Sequence, residues 1–245
     1  MGSLATPNVA VHGPGSSLGE GWDLSEETMP ESVLHDQAVE LLKALLAAWA
    51  AKVGAMQVVR NLAVRWDEAR PTIGVNPDVA VLSPPPPTDG GDLRSVRTWV
   101  EGHSAPLLGI EVVSENHPRK DYVIAPDKYA ASGTRELWIF DPLLCGPAVH
   151  GGPYRLQIWH RRDGGWARIF AGEGPAYSPT LRAYAVAVDE GRKLRIADDA
   201  QATRFWLTAE EAERAAKDAE RLAKESALAR IAELETLLEK ARAGR

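Results

Sequence analysis

The segment LLGIEVVS, residues 107–114, decides how the fold is read. One acid, Glu111, stands in an otherwise apolar run rich in β-branched residues, which is the pattern of a strand. A carboxylate in that setting is costly unless it meets a partner, a metal ion or an open strand end. A second segment, NPDVAVL at 76–82, places Asp78 directly after a proline and at the start of another apolar strand. If the two strands are neighbours, their carboxylates converge on one cleft. Like charges held that close raise each other's pKa unless a divalent cation lies between them. Magnesium suits hard oxygen donors and commonly takes one or two carboxylates together with water and phosphate. The plainer alternatives are a Pro-Asp turn residue at 78 and a strand-end salt bridge at 111.

Working outward, Val33 to Ala51 reads as an amphipathic helix, with Val33, Leu34, Ala38, Leu41, Leu42, Leu45, Leu46 and Trp49 on one face. Ser32 is its N-cap and Gly54 its stop signal. Strands are predicted over Val58–Trp66, Val79–Leu82, Leu107–Val113 and Leu137–Phe140. Further strand candidates lie around Arg155–His160, Ala167–Phe170 and Leu194–Ile196. Pro84 to Pro87 followed by TDGGD reads as one loop, because proline lacks the amide donor, and LLCGPAVHGGP at 143–153 reads as another. A short helix is predicted over Pro126–Ser132, with Gly133 after its end. Trp138, Trp159 and Trp49 fall on apolar patterns, whereas Trp66 and Trp99 read as loop-placed.

From Thr208 the character changes. Ala212, Ala216, Ala219, Ala223, Ala227, Ile231, Leu234, Leu238 and Ala241 form one apolar stripe at three- and four-residue steps, among Glu, Lys and Arg. Thr208 and Glu211 have the spacing of a capping box. A long helix with so narrow a stripe needs a partner, hence a coiled coil that makes a homo-oligomer, most simply a dimer, or a strut packed on the body. A solvated single helix is the plainer alternative. The expected organisation is a flexible polar leader over 1–24, an α/β domain over 25–207 and a coiled-coil helix over 208–245. No stretch approaches the ~20 apolar residues that cross a bilayer. The single Cys145 excludes an internal disulfide and any multi-cysteine zinc site, and the expected setting is cytoplasmic. The net charge is −6. The tail does not hide a basic body, since residues 208–245 hold 8 Lys+Arg and 9 Asp+Glu, leaving 20 and 25 in the remainder. Any affinity for nucleic acid must therefore come from a local patch.

The ordered blocks PDVAVLSPPPP, PLLGIEVVSENHPRKD and KYAASGTRELWIFDP resemble the Uma-two family of the PD-(D/E)XK, restriction-endonuclease-like superfamily, over roughly residues 25 to 190. The resemblance implies an α/β core with a mixed central sheet flanked by helices. It implies a Mg2+ site, with Mn2+ as the substitute ion, formed by Asp78, Glu111 and the backbone carbonyl of Val112. It also implies hydrolysis of nucleic-acid phosphodiester bonds, with DNA as the substrate. The superfamily lysine, two residues after the glutamate, is replaced here by Val113. The position used more often within the family, four residues after the aspartate matching Asp121, is Ala125. Lys128, three residues further along the helix, would face the same side and is the substitute on a long flexible stem.

His35, at the helix start, resembles the family's first-helix histidine, and a simple polar helix-start residue is the alternative. Asp121 either caps its segment or joins the metal shell. Ser114 is placed to hydrogen-bond phosphate from the strand end. Glu136 reads as structural, and His103, His117, His150 and His160 have no metal-ligand spacing. Two functional readings follow. In one, the protein is a Mg2+-dependent endonuclease using Asp78, Glu111 and Lys128. In the other, it is a non-catalytic nuclease-fold module that assembles through its coiled coil.

Overall fold

A computed structural model describes residues 22–24, 32–88, 93–148, 151–163 and 165–243. All but the last three residues of the expected leader lie outside this set, as do His150 and most of the TDGGD segment. The chain forms two compact units, one ending at Trp206 and the other Leu207–Arg245.

The first helix, α1, spans Val33–Val53. The Ser32 side chain accepts from the His35 amide, and the Gly54 amide donates to Ala50, so both ends are satisfied as the sequence predicts. The predicted strand Val58–Trp66 is instead two short ones, β1 (Gln57–Val59) and β2 (Ala63–Arg65). The chain reverses between them at Asn61, which holds a positive φ of 50°. Asparagine tolerates that conformation better than most residues. Next come β3 (Val79–Leu82), β4 (Ser95–Arg97), which periodicity misses because it is three residues long, and β5 (Leu108–Val112). A π-type turn over Lys120–Ile124 leads into α2 (Ala125–Ser132), and Gly133 closes that helix in the left-handed conformation. The later strands are β6 (Glu136–Phe140), β7 (Leu156–Arg162), β8 (Gly165–Gly172), β9 (Ala176–Ser178), β10 (Ala183–Val188) and β11 (Lys193–Ala197).

Six of these strands build one mixed sheet in the order β1-β3-β5-β6-β7-β8. The β5–β6 pair is parallel and the other pairs are antiparallel. The parallel pair needs a crossover, and the π-type turn with α2 supplies it. Both faces of the sheet are covered, so β3, β5 and β6 are buried at every position. On one face lie the apolar side of α1 and the β11-β10-β9 sheet, around Leu42, Leu45, Ile110, Trp138 and Ile196. On the other lie α2 and the small parallel pair β2-β4, around Val64, Val96, Tyr129, Leu137 and Trp159. Trp49 stacks on Trp206 beside the first core, with ring centroids 5.6 Å apart.

In the second unit, α3 spans Ala209–Ala243. Its capping box forms as the sequence predicts. The Thr208 hydroxyl accepts from the Glu211 amide at 3.1 Å, and the Glu211 carboxylate accepts from the Thr208 amide at 2.8 Å. No residue of α3 is buried, and Ile231, Leu234 and Leu238 are among its exposed side chains.

The approach of α2 to the sheet depends on Gly109. A Cβ built there would lie 2.2 Å from Tyr129 Cε1, inside the tyrosine ring's contact shell. Gly109→Ala is therefore expected to lower unfolding free energy by about 1–3 kcal/mol through overpacking. Urea denaturation of the variant beside the parent measures this, and an unchanged midpoint would show that α2 has room to shift.

Candidate metal centre

Asp78 lies in the bend that leads into β3. The last registered pair between β3 and β5 is Val79 opposite Ile110, so one step further sets Asp78 against Glu111. Residues directly opposite across a strand pair have Cβ atoms about 5 Å apart. Asp78 Oδ2 accepts the Val112 amide at 2.7 Å and lies 3.3 Å from His35 Nε2. His35 itself is buried in the first turn of α1. Thus one carboxylate oxygen ties the head of α1 to the end of β5. The other oxygen, Oδ1, takes part in neither contact.

Glu111 is 1% exposed, and its Oε1 accepts from the Tyr129 hydroxyl at 2.8 Å. Burial drives its carboxyl pKa up to about 7; the Lys120 ammonium opposes that rise and the Asp78 charge adds to it. Asp121, buried in the π-type turn, is raised well above the usual carboxylate range by burial first and by the Glu111 charge second. Its Oδ1 has no hydrogen-bond donor, although Lys120 Nζ stands 3.8 Å away. Lys128 is buried on the same side of α2 as Ala125, as the helical spacing predicts. Burial lowers its pKa to about 8, the Lys120 charge lowers it further, and Glu111 acts against both.

The sequence candidates thus fall into two sets joined at β3 and β5. Asp78, His35 and Val112 are linked by direct contacts, and Val112 contributes its amide to them. Glu111 and Lys128 perturb each other's charge, and Glu111 also raises Asp121, which feels Lys120, Asp78 and His35 as well. Ser114 is half-buried two residues past the end of β5, and no hydrogen bond or charge effect among the described residues ties it to the carboxylates. Sequence reasoning missed Tyr129 and Lys120. Tyr129 stands four residues after Ala125, on the helix face already in use. Lys120 directly precedes Asp121. Each sits inside a quoted block without a spacing rule that singles it out.

The donor set is oxygen throughout, which suits Mg2+ or Mn2+ rather than a thiolate-seeking ion. The undonated Asp121 Oδ1 and the raised Glu111 carboxyl are both conditions that a nearby cation relieves. Among the described residues, no group of three His, Cys, Asp or Glu side chains is placed to hold one ion. The Asp78–Glu111 pair offers two carboxylates, and any further ligand would have to be backbone or solvent oxygen.

A carboxyl whose folded pKa is raised binds more protons folded than unfolded, so stability falls as pH rises through the interval from its unfolded value to about 7. In the absence of divalent metal, the parent is expected to lose stability between roughly pH 4.5 and 7. Glu111→Gln should remove a contribution on the order of 1 kcal/mol or more from that loss. Urea denaturation across the pH range tests this, and parallel pH profiles for parent and variant would contradict it.

The Uma2 family model, described as "Putative restriction endonuclease", matches residues 24–187. Among solved structures, the chain is similar to a protein of Anabaena variabilis ATCC 29413 described as "a putative nuclease belonging to DUF820". The two are 13% identical with a TM-score of 0.45, and the match covers 63% of this chain and 76% of that one. No curated protein matches. The family match runs from the residues before α1 into β10 and takes in Asp78, Glu111, Asp121 and Lys128; the chain belongs to the Uma2 family.

Proposed function

We propose that this protein is a Mg2+-dependent endonuclease that hydrolyses phosphodiester bonds of DNA, with Mn2+ able to replace Mg2+. The observation that carries this reading is the pair Asp78 and Glu111, opposed across β3 and β5 and each held by a hydrogen bond from its own scaffold. When bound, the cation supplies positive charge to the phosphoryl oxygens and makes water a better nucleophile.

The chain's own residues do the positioning. The Val112 amide and His35 fix one oxygen of Asp78, and Tyr129 fixes one oxygen of Glu111. Preset donors of this kind need little rearrangement as charge develops. Lys128, with its pKa brought down to about 8, holds a proton that it can share with a phosphate oxygen or a departing group near neutral pH. Lys120, 53% exposed at its side chain, is a second ammonium on the solvent side. Among the described residues no helix is long and apolar enough to cross a membrane. We place the protein in the cytoplasm, where the lone Cys145 needs no partner.

The exposed apolar stripe of α3 supports the reading that residues 208–245 form a separate segment that pairs two copies as a coiled coil. The same stripe favours the alternative of a non-catalytic module assembled through its tail, and the missing lysines at positions 113 and 125 point the same way.

Purified protein assayed on plasmid DNA with Mg2+ or Mn2+ should cleave it. Asp78→Ala and Glu111→Ala should each lower the rate on the order of 10²–10³-fold. Lys128→Ala should cost on the order of 10²-fold. Cleavage that survives both acid substitutions would refute the site. Absence of cleavage together with absence of metal binding by calorimetry would establish the module reading. For the tail, analytical ultracentrifugation of the full chain and of a truncation before Thr208 should give a dimer and a monomer. Two monomers would refute pairing.

A further inference from the structure

A cleft of about 450 Å³ lies beside the small β2-β4 pair. Arg65, Thr72, Arg94, Ser95, Arg97 and Trp99 line it. Three guanidiniums in one cleft are unexpected in a chain whose net charge is −6. Among the described residues, none of the three forms an ion pair with a carboxylate. Arg65 Nη1 donates instead to the Pro71 carbonyl, and Arg97 Nε to the Ser95 hydroxyl at 3.2 Å.

The pairing of β2 with β4 forces this concentration of charge. Its register sets Val64 beside Val96, Ala63 beside Ser95 and Arg65 beside Arg97. The two valines are fully buried in the core that includes Tyr129 and Ala125, so the alternate positions, with both arginines, lie on the other side. Like charges directly opposite each other across strands are destabilising. The fold nevertheless holds them together and adds Arg94 to the same cleft. An anion between the guanidiniums turns that repulsion into attraction, and guanidinium is the side chain best matched to phosphate. The shared core also places the β2-β4 pair on the face of the large sheet that carries Glu111 and Tyr129.

We propose that this cleft docks the sugar-phosphate backbone of a nucleic-acid strand, with Arg65, Arg94 and Arg97 on the phosphates and Trp99 offering its ring to a base. The identification of the polyanion rests on the nuclease reading above; the cleft itself is independent of the carboxylates. Backbone contacts of this kind are not sequence-specific, and aromatic stacking favours unpaired bases.

Fluorescence anisotropy with a labelled 20-nucleotide single strand and the matching duplex tests the proposal, using the full chain in EDTA over 50–200 mM KCl. The Arg65→Ala/Arg94→Ala/Arg97→Ala variant should bind at least about ten-fold more weakly at 50 mM salt. Its slope of log K against log salt should shrink by about 2–3, given roughly 0.7–0.9 per phosphate contact. Arg192→Ala, in the exposed turn between β10 and β11, removes one positive charge outside the cleft and should leave the slope unchanged, whereas Arg94→Ala alone should lower it by about one phosphate contact. If the triple variant does not fold, the exposed Arg94→Glu alone should still weaken binding. Unchanged affinity and slope in the arginine variants would overturn the cleft, even where the parent cuts DNA through Asp78 and Glu111. Loss of binding in a protein that does not cut DNA would uphold the cleft and remove the catalytic reading. A parent chain that binds neither strand overturns the proposal.

Discussion

The hydrogen bond from Tyr129 to Glu111 is the interaction on which the rest of the arrangement depends. A carboxylate in the middle of a two-faced sheet is expensive to bury, and removing the tyrosine hydroxyl would take away a close hydrogen-bond donor and raise that cost. The tyrosine reaches it because Gly109, two residues earlier on the same strand face, has no side chain to hold α2 away. The short crossover between β5 and β6 must then bring the tyrosine down at that point, and the π-type turn before α2 makes the adjustment. Such turns recur at functional sites because they re-aim the residues that follow. Here the residues around it are Lys120, Asp121 and Lys128.

Most of the architecture was legible in the sequence, for reasons that differ from element to element. The helix α1 shows itself through an apolar face and a cap at each end, and β3 through four buried residues between a Pro-Asp start and a proline run. Three-residue strands carry no period to detect, which hid β4 and β9 and merged β1 with β2. At the site, Asp78 and Glu111 announce themselves as acids on apolar strands. Tyr129 does not, because a buried tyrosine in a helix looks like core until its hydroxyl partner is known. Lys120 looks like one more surface lysine in RKD. Its importance is electrostatic and appears only when Glu111 and Asp121 are placed beside it.

Net charge misleads for a related reason. The surplus of acids is a sum over the whole chain, whereas a ligand responds to the charge within about a Debye length, roughly 10 Å at moderate salt. Arg65, Arg94 and Arg97 come from two strands and the segment before β4, and only the parallel pairing of β2 with β4 gathers them. A chain that is acidic overall but locally basic is repelled by nucleic acid in most orientations and attracted in few. That makes encounter slower but better oriented than for a uniformly basic protein.

The β2-β4 pair has a further consequence, which concerns motion. Two three-residue strands form few ladder bonds, and a parallel pair is slightly weaker per residue than an antiparallel one. Only Val64 and Val96 anchor the pair deeply in the core. A unit this small opens at far lower free energy than the six-stranded sheet beneath it, so its amides are expected to exchange with solvent through local rather than global unfolding. The lip of the basic cleft is then expected to open more readily than the six-stranded sheet, and so to adjust its width to a strand while the carboxylates on β3 and β5 hold still.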